Sequence, residues 1–435
     1  MRNRLTKASN AAALGALLLF LVPTACDTLD NPLDVESASR IPADQIETPG
    51  NALLLSNGAI GDLECAFNAY VVLGGLVGEE LIDATQTANR FPYDSRNTVP
   101  TDSRYSTGGC TTLGVYTPLQ TARSSNDNML TRLKSWSDVD VAAGPGRPNR
   151  TNLIGIAAAY SGYAYLLLGE GFCTMALSTI NPDRTVEYGA EIQRDSVFRA
   201  AEARFSEAIT AATAAGNNDI RNMALVGRAR ARLNLANYAG ARADAAQVPV
   251  AYNKVVTAST ASDRRQNRVY NENSDASSST SVGLPYRNLN DPRVPVVNTA
   301  NRSTTGVTLS YQTKYVAATS SIPLATYEEA QLIIAEADIR SGNLANALLI
   351  LNAERVRGNQ GAFTGVTQAA YLAELIDQRR RELFLESHHL GDLIRLGISP
   401  QPAAGTAYHG GGAYGNQVCL PLPSIERLNN PRIGG

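Results

Sequence analysis

Several stretches of this 435-residue chain place apolar side chains three and four residues apart, the repeat of a helix with a buried face. The run NLIGIAAAYSGYAYLLLGEGFCTMAL, residues Asn152 to Leu177, is apolar on nearly all sides and predicts a buried helix. The run from Asp195 to Ala215 predicts an amphipathic helix, with Asp195 or Ser196 as N-cap and Gly216 as its stop. Its apolar stripe consists of Val197, Ala201, Phe205, Ala208 and Ile209. Such segments restrict the chain to helices packed on helices.

A third stretch spaces its small residues as a tetratricopeptide hairpin does, where two antiparallel helices approach closely. It runs from Asn222 to Pro249 and breaks at Asn237, which predicts two short helices joined by a tight turn. The spaced residues are Ala229, Ala236, Tyr238, Ala241 and Ala245, and a second set near the C terminus is Ala335, Gly342, Leu344, Ala347 and Leu351. The sequence therefore predicts a scaffold of helical hairpins, although no steady period of about 34 residues is present.

Two polar, turn-rich regions interrupt the helical patterns. Residues Thr85 to Arg123 and Asn253 to Ser321 are rich in Ser, Thr, Asn and Asp and contain scattered tyrosines. Long loops inside a folded protein are usually functional or disordered, and tyrosine-bearing polar loops favour function. We therefore predict a helical scaffold over about 120–250 and 323–398, and a loop-rich ligand-binding side over about 61–119 and 251–322.

Composition and missing motifs exclude several function classes. The 38 basic and 40 acidic residues give a net charge of −2, and no block of five basic residues occurs, which argues against a nucleic-acid binder. The neighbouring His388 and His389 would point ~100° apart on a helix and cannot chelate one ion together. The His409–Gly412 run resembles an esterase oxyanion loop but has no G-x-S-x-G partner, so a flexible loop is expected. We expect no enzymatic activity, no metal and no cofactor.

Glu382 and Glu386 lie four residues apart, which predicts one shared helical face, and they could form a carboxylate pair for glycoside hydrolysis. Glycosidase carboxylates usually come from different elements of the fold. Arginines surround this pair in the sequence, so structural ion pairing is the favoured interpretation. The arginines are Arg379, Arg380, Arg381 and Arg395.

The N terminus has the pattern of an export signal. Arg2, Arg4 and Lys7 precede a twelve-residue apolar run that is too short to span a bilayer, and Cys26 follows. Small residues before this cysteine resemble a lipobox with Pro23 in place of the preferred Leu, which predicts a signal peptide over residues 1–25 and lipidation of Cys26. Ordinary secretion with Cys26 as a plain thiol is the alternative. Cleavage would leave the mature chain at −5, because residues 1–25 contain three basic residues and no acidic one.

Four further cysteines follow, and an exported protein can keep disulfides. Cys65, Cys110, Cys173 and Cys419 allow three connectivities that the sequence cannot separate. One or two structural disulfides are expected. Cys65 with Cys110 is the favoured pair, because both lie in one region.

The C-terminal region resembles the SusD/RagB-like outer-membrane lipoproteins. The segment DQRRRELFLESHHLGDLIRLG, residues Asp377 to Gly397, is similar to the signature helix of that family. Further landmarks occur in the family's order: Gly169-Glu170-Gly171-Phe172, Asp291-Pro292-Arg293, Lys314-Tyr315, the helix Tyr327–Gly358, and the closing Cys419–Pro423 and Ser424–Pro431. The departures are Gln378, where Glu is usual, and Ser387-His388, which replace Gly and its neighbour.

This resemblance implies a single domain over residues 26–435 that is mainly α-helical, with four tetratricopeptide-like hairpins and an irregular ligand-binding side. It also implies a surface-exposed lipoprotein of the outer membrane that captures an oligosaccharide or peptide nutrient. The partner would be a SusC-like TonB-dependent barrel that this protein closes as a lid. A tetratricopeptide-type envelope adaptor without a small ligand is the rival hypothesis.

The contact residues for a ligand rest only on loop location and side-chain chemistry. Aromatic residues are 6% of the chain and Trp136 is the sole tryptophan, which weakens the case for a large glycan. Tyrosines in the loops would then supply the flat faces, with a carboxylate and a guanidinium as polar contacts. The predicted set is Tyr93, Tyr105, Tyr286, Tyr311, Asp83 and Arg96.

Overall fold

Helices build the core in the computed structural model, which describes residues 43–181 and 183–433. They are α1 (Ala43–Ile46), α2 (Ala52–Val77), α3 (Phe91–Asp94), α4 (Ser103–Ser106), α5 (Tyr116–Ser135), α6 (Asp138–Ala142), α7 (Arg150–Gly171), α8 (Arg194–Ala215), α9 (Asn218–Asn234), α10 (Tyr238–Ala245), α11 (Arg268–Glu272), α12 (Tyr327–Ser341), α13 (Leu344–Arg357), α14 (Gln368–Glu382), α15 (His389–Leu396) and α16 (Ser424–Asn429). Helix α1 belongs to a unit that ends at Ile46, and a second unit begins at Glu47. The predicted signal peptide and Cys26 lie outside the described residues.

The strands are short and pair two by two. In the described part of the chain, the antiparallel pairs are β1 (Leu81–Asp83) with β7 (Thr280–Val282), β2 (Thr174–Ala176) with β5 (Glu191–Gln193), β3 (Thr179–Ile180) with β4 (Val186–Glu187), β6 (Asn253–Val256) with β10 (Ile322–Thr326), and β8 (Val296–Arg302) with β9 (Thr308–Gln312). The fold is mainly α, as the sequence predicts.

Helix α7 forms the centre of the fold and packs against α2, α5 and α8. Both α7 and the segment Pro49–Val77 are long and apolar enough to cross a membrane by length and composition. In each, 83% of the most apolar window is buried inside the fold. Burial among the other helices therefore accounts for their apolar composition.

The hairpins predicted from small-residue spacing are present. Helices α9 and α10 pack together after a break in which Asn237 caps α10, and α12 packs on α13. The pairs α7–α8, α9–α10 and α12–α13 are linked by packing of α8 on α9 and of α10 on α12, and α14 packs on both α12 and α13. Helix α15 contacts α2 and α7 instead. Each hairpin covers the apolar face of the next one, which is how helical-repeat scaffolds are stabilised.

Helix ends match the predicted stop signals better than the predicted starts. Gly216 follows α8 with a φ of +71°, a left-handed conformation that glycine adopts without strain. Helix α8 begins earlier than expected, at Arg194, and Gln193 takes the N-cap position. The expected caps Asp195 and Ser196 lie inside the helix, because β5 delivers the chain to the helix already in extended conformation.

Two parts of the expected loop-rich side are helical. Residues 61–77 continue α2. Residues 63–77 of that helix are buried on every side and so lack the amphipathic repeat that reveals a helix. Tyr116 to Arg123 belongs to α5, whose polar composition reflects a buried network. In that network the Asp127 carboxylate accepts hydrogen bonds from Ser161 and Tyr165, each at 2.7 Å.

The segment resembling a signature helix is two helices. Helix α14 ends at Glu382, and a turn with Leu385 and Ser387 at positive φ leads into α15. Glu386 lies in this turn, so it does not share a helical face with Glu382. The expectation that the two glutamates lie on one helical face is therefore wrong, and the alternative of a carboxylate pair loses its basis.

Ion pairing of the two glutamates is present, but with partners that are distant in sequence. Glu382 contacts Arg357 at 2.6 Å and Arg293 at 3.5 Å, while Glu386 contacts Lys314 at 2.6 Å. The nearby arginines pair elsewhere: Arg379 with Asp392, Arg380 and Arg381 with Asp377, and Arg395 with Glu336 and Asp392.

Both cysteine pairs are disulfide-bonded. Cys65 and Cys110 have Cα atoms 5.7 Å apart, and Cys173 and Cys419 have Cα atoms 5.2 Å apart. The second bond joins the end of α7 to the C-terminal segment, where the Cys173 N–H also donates to the Leu420 carbonyl at 2.9 Å. The C-terminal segment is thereby held against the helical core.

Candidate functional site

A pocket of about 460 Å³ opens where four irregular segments meet, and we call it the loop pocket. The segments are the stretch after α2, the turn after β7, the start of β9 and the chain that follows α15. The lining residues are Glu79, Leu81, Ile82, Asp94, Arg96, Gly283, Leu284, Pro285, Arg287, Val307, Thr308, Gln401, Pro402, Ala407, His409 and Tyr414. The volume suits a small ligand.

Pairing of β1 with β7 places the first two of these segments side by side. Leu81 lies opposite Val282, and the Gly283 N–H donates to the Glu80 carbonyl at 2.8 Å. A Cβ atom on Gly283 would lie only 1.8 Å from the Glu79 carbonyl oxygen. Glycine at position 283 is therefore required for the close approach that forms this wall.

Arg96 forms a buried cationic wall of the loop pocket. Its guanidinium donates to the carbonyl oxygens of Gly415 at 3.1 Å, Gln401 at 3.4 Å and Pro402. It also lies 4.7 Å from the centre of the Tyr414 ring, an attractive cation–π distance. Within the described residues no carboxylate forms an ion pair with Arg96, and burial lowers the pKa of its side chain.

Asp94 is a buried acid beside Arg96. Burial raises the pKa of Asp94 to about 7, although its Oδ2 accepts hydrogen bonds from the Asp83 N–H at 2.9 Å and the Tyr408 O–H at 3.1 Å. Near neutral pH this carboxyl group is therefore about half protonated.

His409 lies at the exposed side of the pocket with a defined tautomer. Its Nε2 lies 2.8 Å from the Asp83 carbonyl oxygen, which can only accept, so Nε2 bears the proton. Burial against this wall lowers the pKa of His409 below its usual range. The neutral ring leaves Nδ1 as an acceptor.

These groups suit binding rather than bond cleavage. The pocket offers donors, acceptors and apolar surface, including Leu284 at 65% exposure. His409 is held by a backbone carbonyl, and no Ser or Cys is among the lining residues. In residues 43–181 and 183–433, no cluster of three or more His, Cys, Asp or Glu side chains is placed to hold a metal ion.

Two of the predicted ligand contacts lie at the loop pocket. Arg96 lines it, and Asp83 backs it through the carbonyl that holds His409. The Asp83 carboxylate points elsewhere and accepts hydrogen bonds from the Thr85 N–H and O–H, both at 3.1 Å.

Three of the four predicted tyrosines are core residues. The rings of Tyr93, Tyr105 and Tyr286 are at most 1% exposed. Tyr286 stacks on Phe384 with ring centres 5.0 Å apart. A ring without an exposed face cannot stack on a ligand, so we correct the expectation for these three.

Tyr311 is partly buried and packs against the small cluster of Ala84, Val307 and Leu309. It does not line the loop pocket, and its contact with a ligand stays a prediction.

Only weak sequence signals point to the pocket residues that the sequence analysis missed. Asp94 directly follows the predicted Tyr93, and Arg287 directly follows Tyr286. His409 begins the His409–Gly412 run that was expected to be a flexible loop, and Tyr414 follows two residues after it. A loop in which a histidine and tyrosines alternate with glycines can be recognised as a candidate binding loop from sequence. Only the fold shows which other segments such a loop faces.

Comparison with known proteins finds one family model and several solved structures that are similar to this chain. The model of the SusD family matches residues 213–420, and no protein of curated function matches the sequence. A SusD superfamily protein from Parabacteroides distasonis ATCC 8503 is similar over 90% of this chain and 98% of its own, with a TM-score of 0.69 at 13% identity.

Two further solved structures share the fold. A SusD superfamily protein from Bacteroides thetaiotaomicron VPI-5482 covers 88% of this chain and 98% of its own, with a TM-score of 0.68 at 15% identity. A laminarin-binding SusD-like protein covers 87% and 97%, with a TM-score of 0.64 at 16% identity. The match over residues 213–420 and the fold shared with SusD superfamily structures together support a SusD/RagB-like family for this chain.

Proposed function

We propose that this protein is a binding protein that captures an oligosaccharide in the loop pocket. The observation that supports this most directly is a cavity of about 460 Å³, built by loops on a rigid helical scaffold of the SusD type. Similar structures include a SusD-like carbohydrate-binding protein from Bacteroides vulgatus ATCC 8482 and a laminarin-binding protein.

The pocket favours a short ligand over a long polysaccharide. A volume of this order accommodates a few sugar rings at most. Trp136, the only tryptophan, is half buried against the core and is not among the pocket residues. The flat face of Tyr414 is covered by Arg96, so hydrogen bonds and the aliphatic surface of Leu284 and Pro285 would provide most of the contact.

Binding without turnover is part of the proposal. Two carboxyl groups line the pocket, and each already has partners: Asp94 accepts two hydrogen bonds, and Glu79 accepts one from the Gln401 N–H. Glycoside hydrolysis requires two carboxyl groups that face each other across the substrate. Asp94 and Glu79 are not arranged in this way. We expect oligosaccharides incubated with the protein to remain intact by mass spectrometry.

Binding would be measured by calorimetry against a panel of short oligosaccharides. His409→Ala should weaken the affinity for the best ligand about tenfold, because it removes the Nδ1 acceptor from the pocket without touching the core. Arg199→Gln on the exposed face of α8 is the matched surface control. Failure of every glycan in the panel to bind, or an unchanged affinity in His409→Ala, would reject the pocket as the glycan site.

We propose in addition that Cys26 is lipidated, that the protein lies at the outer membrane, and that it delivers its ligand to a SusC-like TonB-dependent barrel as a lid. The apolar N-terminal run before Cys26 and the family match support this. Cys26→Ser should move the protein from the membrane fraction to the soluble fraction. A barrel should co-purify with the unmodified protein after mild detergent extraction.

An adaptor function is the second candidate, and one feature of α13 favours it. Leu349 and Val356 are 70% and 74% exposed and lie two turns apart on that helix. Such a stripe on a helical hairpin can bind another protein. Leu349→Asp should then release a soluble protein partner from the purified complex, while glycan binding stays absent in both forms.

A further inference from the structure

The two arginines of the loop pocket lack acidic partners, unlike most buried arginines of this protein. Among the described residues, no carboxylate lies within ion-pair distance of Arg96 or Arg287, whereas Arg230, Arg293 and Arg395 each contact one or more. A guanidinium taken out of water without an acidic partner is unfavourable unless something else compensates it.

Arg287 is held in position but keeps donors available. Its Nε donates to the Val282 carbonyl at 2.8 Å, and its Nη2 donates to Ser281 Oγ at 2.9 Å. Within residues 43–181 and 183–433, Nη1 of Arg287 donates no hydrogen bond. The side chain is half buried in the pocket wall. Both bonds orient the guanidinium and leave one terminal nitrogen free for a ligand.

The carboxyl groups of the pocket neutralise this charge only in part. Glu79 and Asp94 both act on Arg96, but from beyond ion-pair distance, and Glu79 also accepts the Gln401 N–H and lies 3.5 Å from His389 Nε2. Asp94 is surrounded by Asp83, Tyr408 and Arg96, and burial raises the pKa of Asp94 to about 7. Near neutral pH the pocket is therefore on balance cationic.

We propose that the ligand is an anionic oligosaccharide, whose carboxylate or sulfate group binds Arg287 in the loop pocket. The planar guanidinium matches the oxygen geometry of both groups. Leu284, Pro285 and Val307 supply aliphatic surface for the sugar ring beside it. This inference rests on the proposed glycan-binding function and specifies the charge of the substrate.

The test uses the full-length protein in detergent and three probes in calorimetry: trigalacturonate, a sulfated trisaccharide and the neutral galactotriose. One or both anionic probes should bind about tenfold or more tighter than the neutral one at about 50 mM salt, and this preference should shrink at higher salt. The two anionic probes distinguish a carboxylate from a sulfate ligand.

Arg287→Gln should remove the preference for the anionic probe and change galactotriose affinity less than about twofold. Arg287→Lys, which keeps the charge but loses the planar fork, should retain part of the preference. Arg199→Gln, at an exposed position of α8, removes the same charge and is the matched control. It should change the affinity for neither probe.

The pH response gives an independent readout. Raising the pH from about 6 to about 8 ionises Asp94 beside Arg96. This should lower the affinity for the anionic probe and leave the affinity for galactotriose unchanged. Two results would overturn this inference but leave the proposed function standing. One is that galactotriose binds as tightly as the anionic probes, and the other is that Arg287→Gln lowers the affinity for anionic and neutral probes equally. Absence of binding to all three probes and to the wider glycan panel rejects the proposed function with it.

Discussion

At the scale of single residues, this protein buries many charged side chains and pairs them across long sequence distances. Arg230 on α9 donates to both Glu170 oxygens, at 2.8 and 2.5 Å, and to the Ser387 carbonyl at 3.2 Å. It also lies 3.8 Å from Glu329 of α12. One guanidinium thus joins α7, α9, α12 and the turn before α15.

Replacing Arg230 by Met should lower the free energy of unfolding by about 3–5 kcal/mol, because it leaves Glu170 and Glu329 buried without their cation. Urea unfolding followed by circular dichroism measures this loss. The double variant Arg230→Met/Glu170→Gln should recover part of it, since one of the stranded charges is removed. Arg199→Gln, an exposed arginine of α8, should change stability by less than about 0.5 kcal/mol.

A second residue-scale prediction concerns Glu354 of α13. Burial raises the pKa of Glu354 to about 8, and the neighbouring Glu382 carboxylate adds to the effect. The folded state therefore holds this proton more tightly than the unfolded chain does. The resulting stability is complete below the unfolded pKa of about 4.3 and is lost as the pH rises towards 8.

Glu354→Gln mimics the protonated form at every pH. At pH 8 the variant should be more stable than the parent by roughly 1–3 kcal/mol, and near pH 4 the two should be nearly equal. Urea unfolding across this pH range tests the prediction. The exposed Glu187→Gln in β4 is the control, and an equal gain at both pH values would contradict the assigned ionisation.

At the scale of elements, close helix packing depends on glycines that face one aromatic ring. Phe205 of α8 lies between α7 and α9, and a Cβ on Gly162 or Gly227 would come within 2.7 or 2.3 Å of its ring carbons. The Tyr163 ring meets Phe205 edge to face, with centres 5.1 Å apart. The distance between these helices is therefore set by the absence of side chains at two positions.

Gly162→Ala should destabilise the protein by about 1–3 kcal/mol through overpacking against Phe205, although Ala is the better helix former. Gly61→Ala on α2 is the matched variant, because nothing lies within 4 Å of its added Cβ. That change should instead stabilise the protein by about 0.5–1 kcal/mol. Thermal melts of both variants test the pair, and equal signs would refute the packing explanation.

Elements were predictable where their pattern was local. The break at Asn237 and the stop at Gly216 followed from capping chemistry, and small residues at Ala241 and Ala347 marked the hairpins. Helix α2 was missed because burial on all sides removes periodicity, and α5 because its polar residues are paired inside the fold. The burial of α2 and the pairing of the polar residues in α5 both depend on helices that lie far away in the sequence.

At the scale of the whole molecule, the Cys173–Cys419 disulfide ties the C-terminal segment to the central helix across 246 residues. The same region is held by backbone hydrogen bonds between Leu420 and Gly171 at 2.8 Å and between Cys173 and Leu420 at 2.9 Å. Because His409 and Tyr414 precede this anchor, it also fixes one wall of the loop pocket.

Replacing both Cys173 and Cys419 by Ala should lower the free energy of unfolding by about 2–5 kcal/mol, since a long closed loop is released in the unfolded chain. Removing Cys65–Cys110, which spans 45 residues, should cost about 1.5 kcal/mol less on the same loop-entropy basis. Urea unfolding compares the two. Amide exchange over residues 401–420 should accelerate only in the first variant, and unchanged exchange there would contradict its anchoring role.

The sequence by itself determined the fold class, the hairpin positions and the family landmarks, because these depend on residue spacing over one or two helical turns. Tertiary structure decided which residues form the pocket. Residues 79–96, 283–308 and 401–414 meet only because β1 pairs with β7 and the C-terminal segment is bonded to α7. The same contacts bury Tyr93 and Tyr286 and leave Arg287 facing the cavity, since the exposure of a side chain is set by partners that are distant in the sequence.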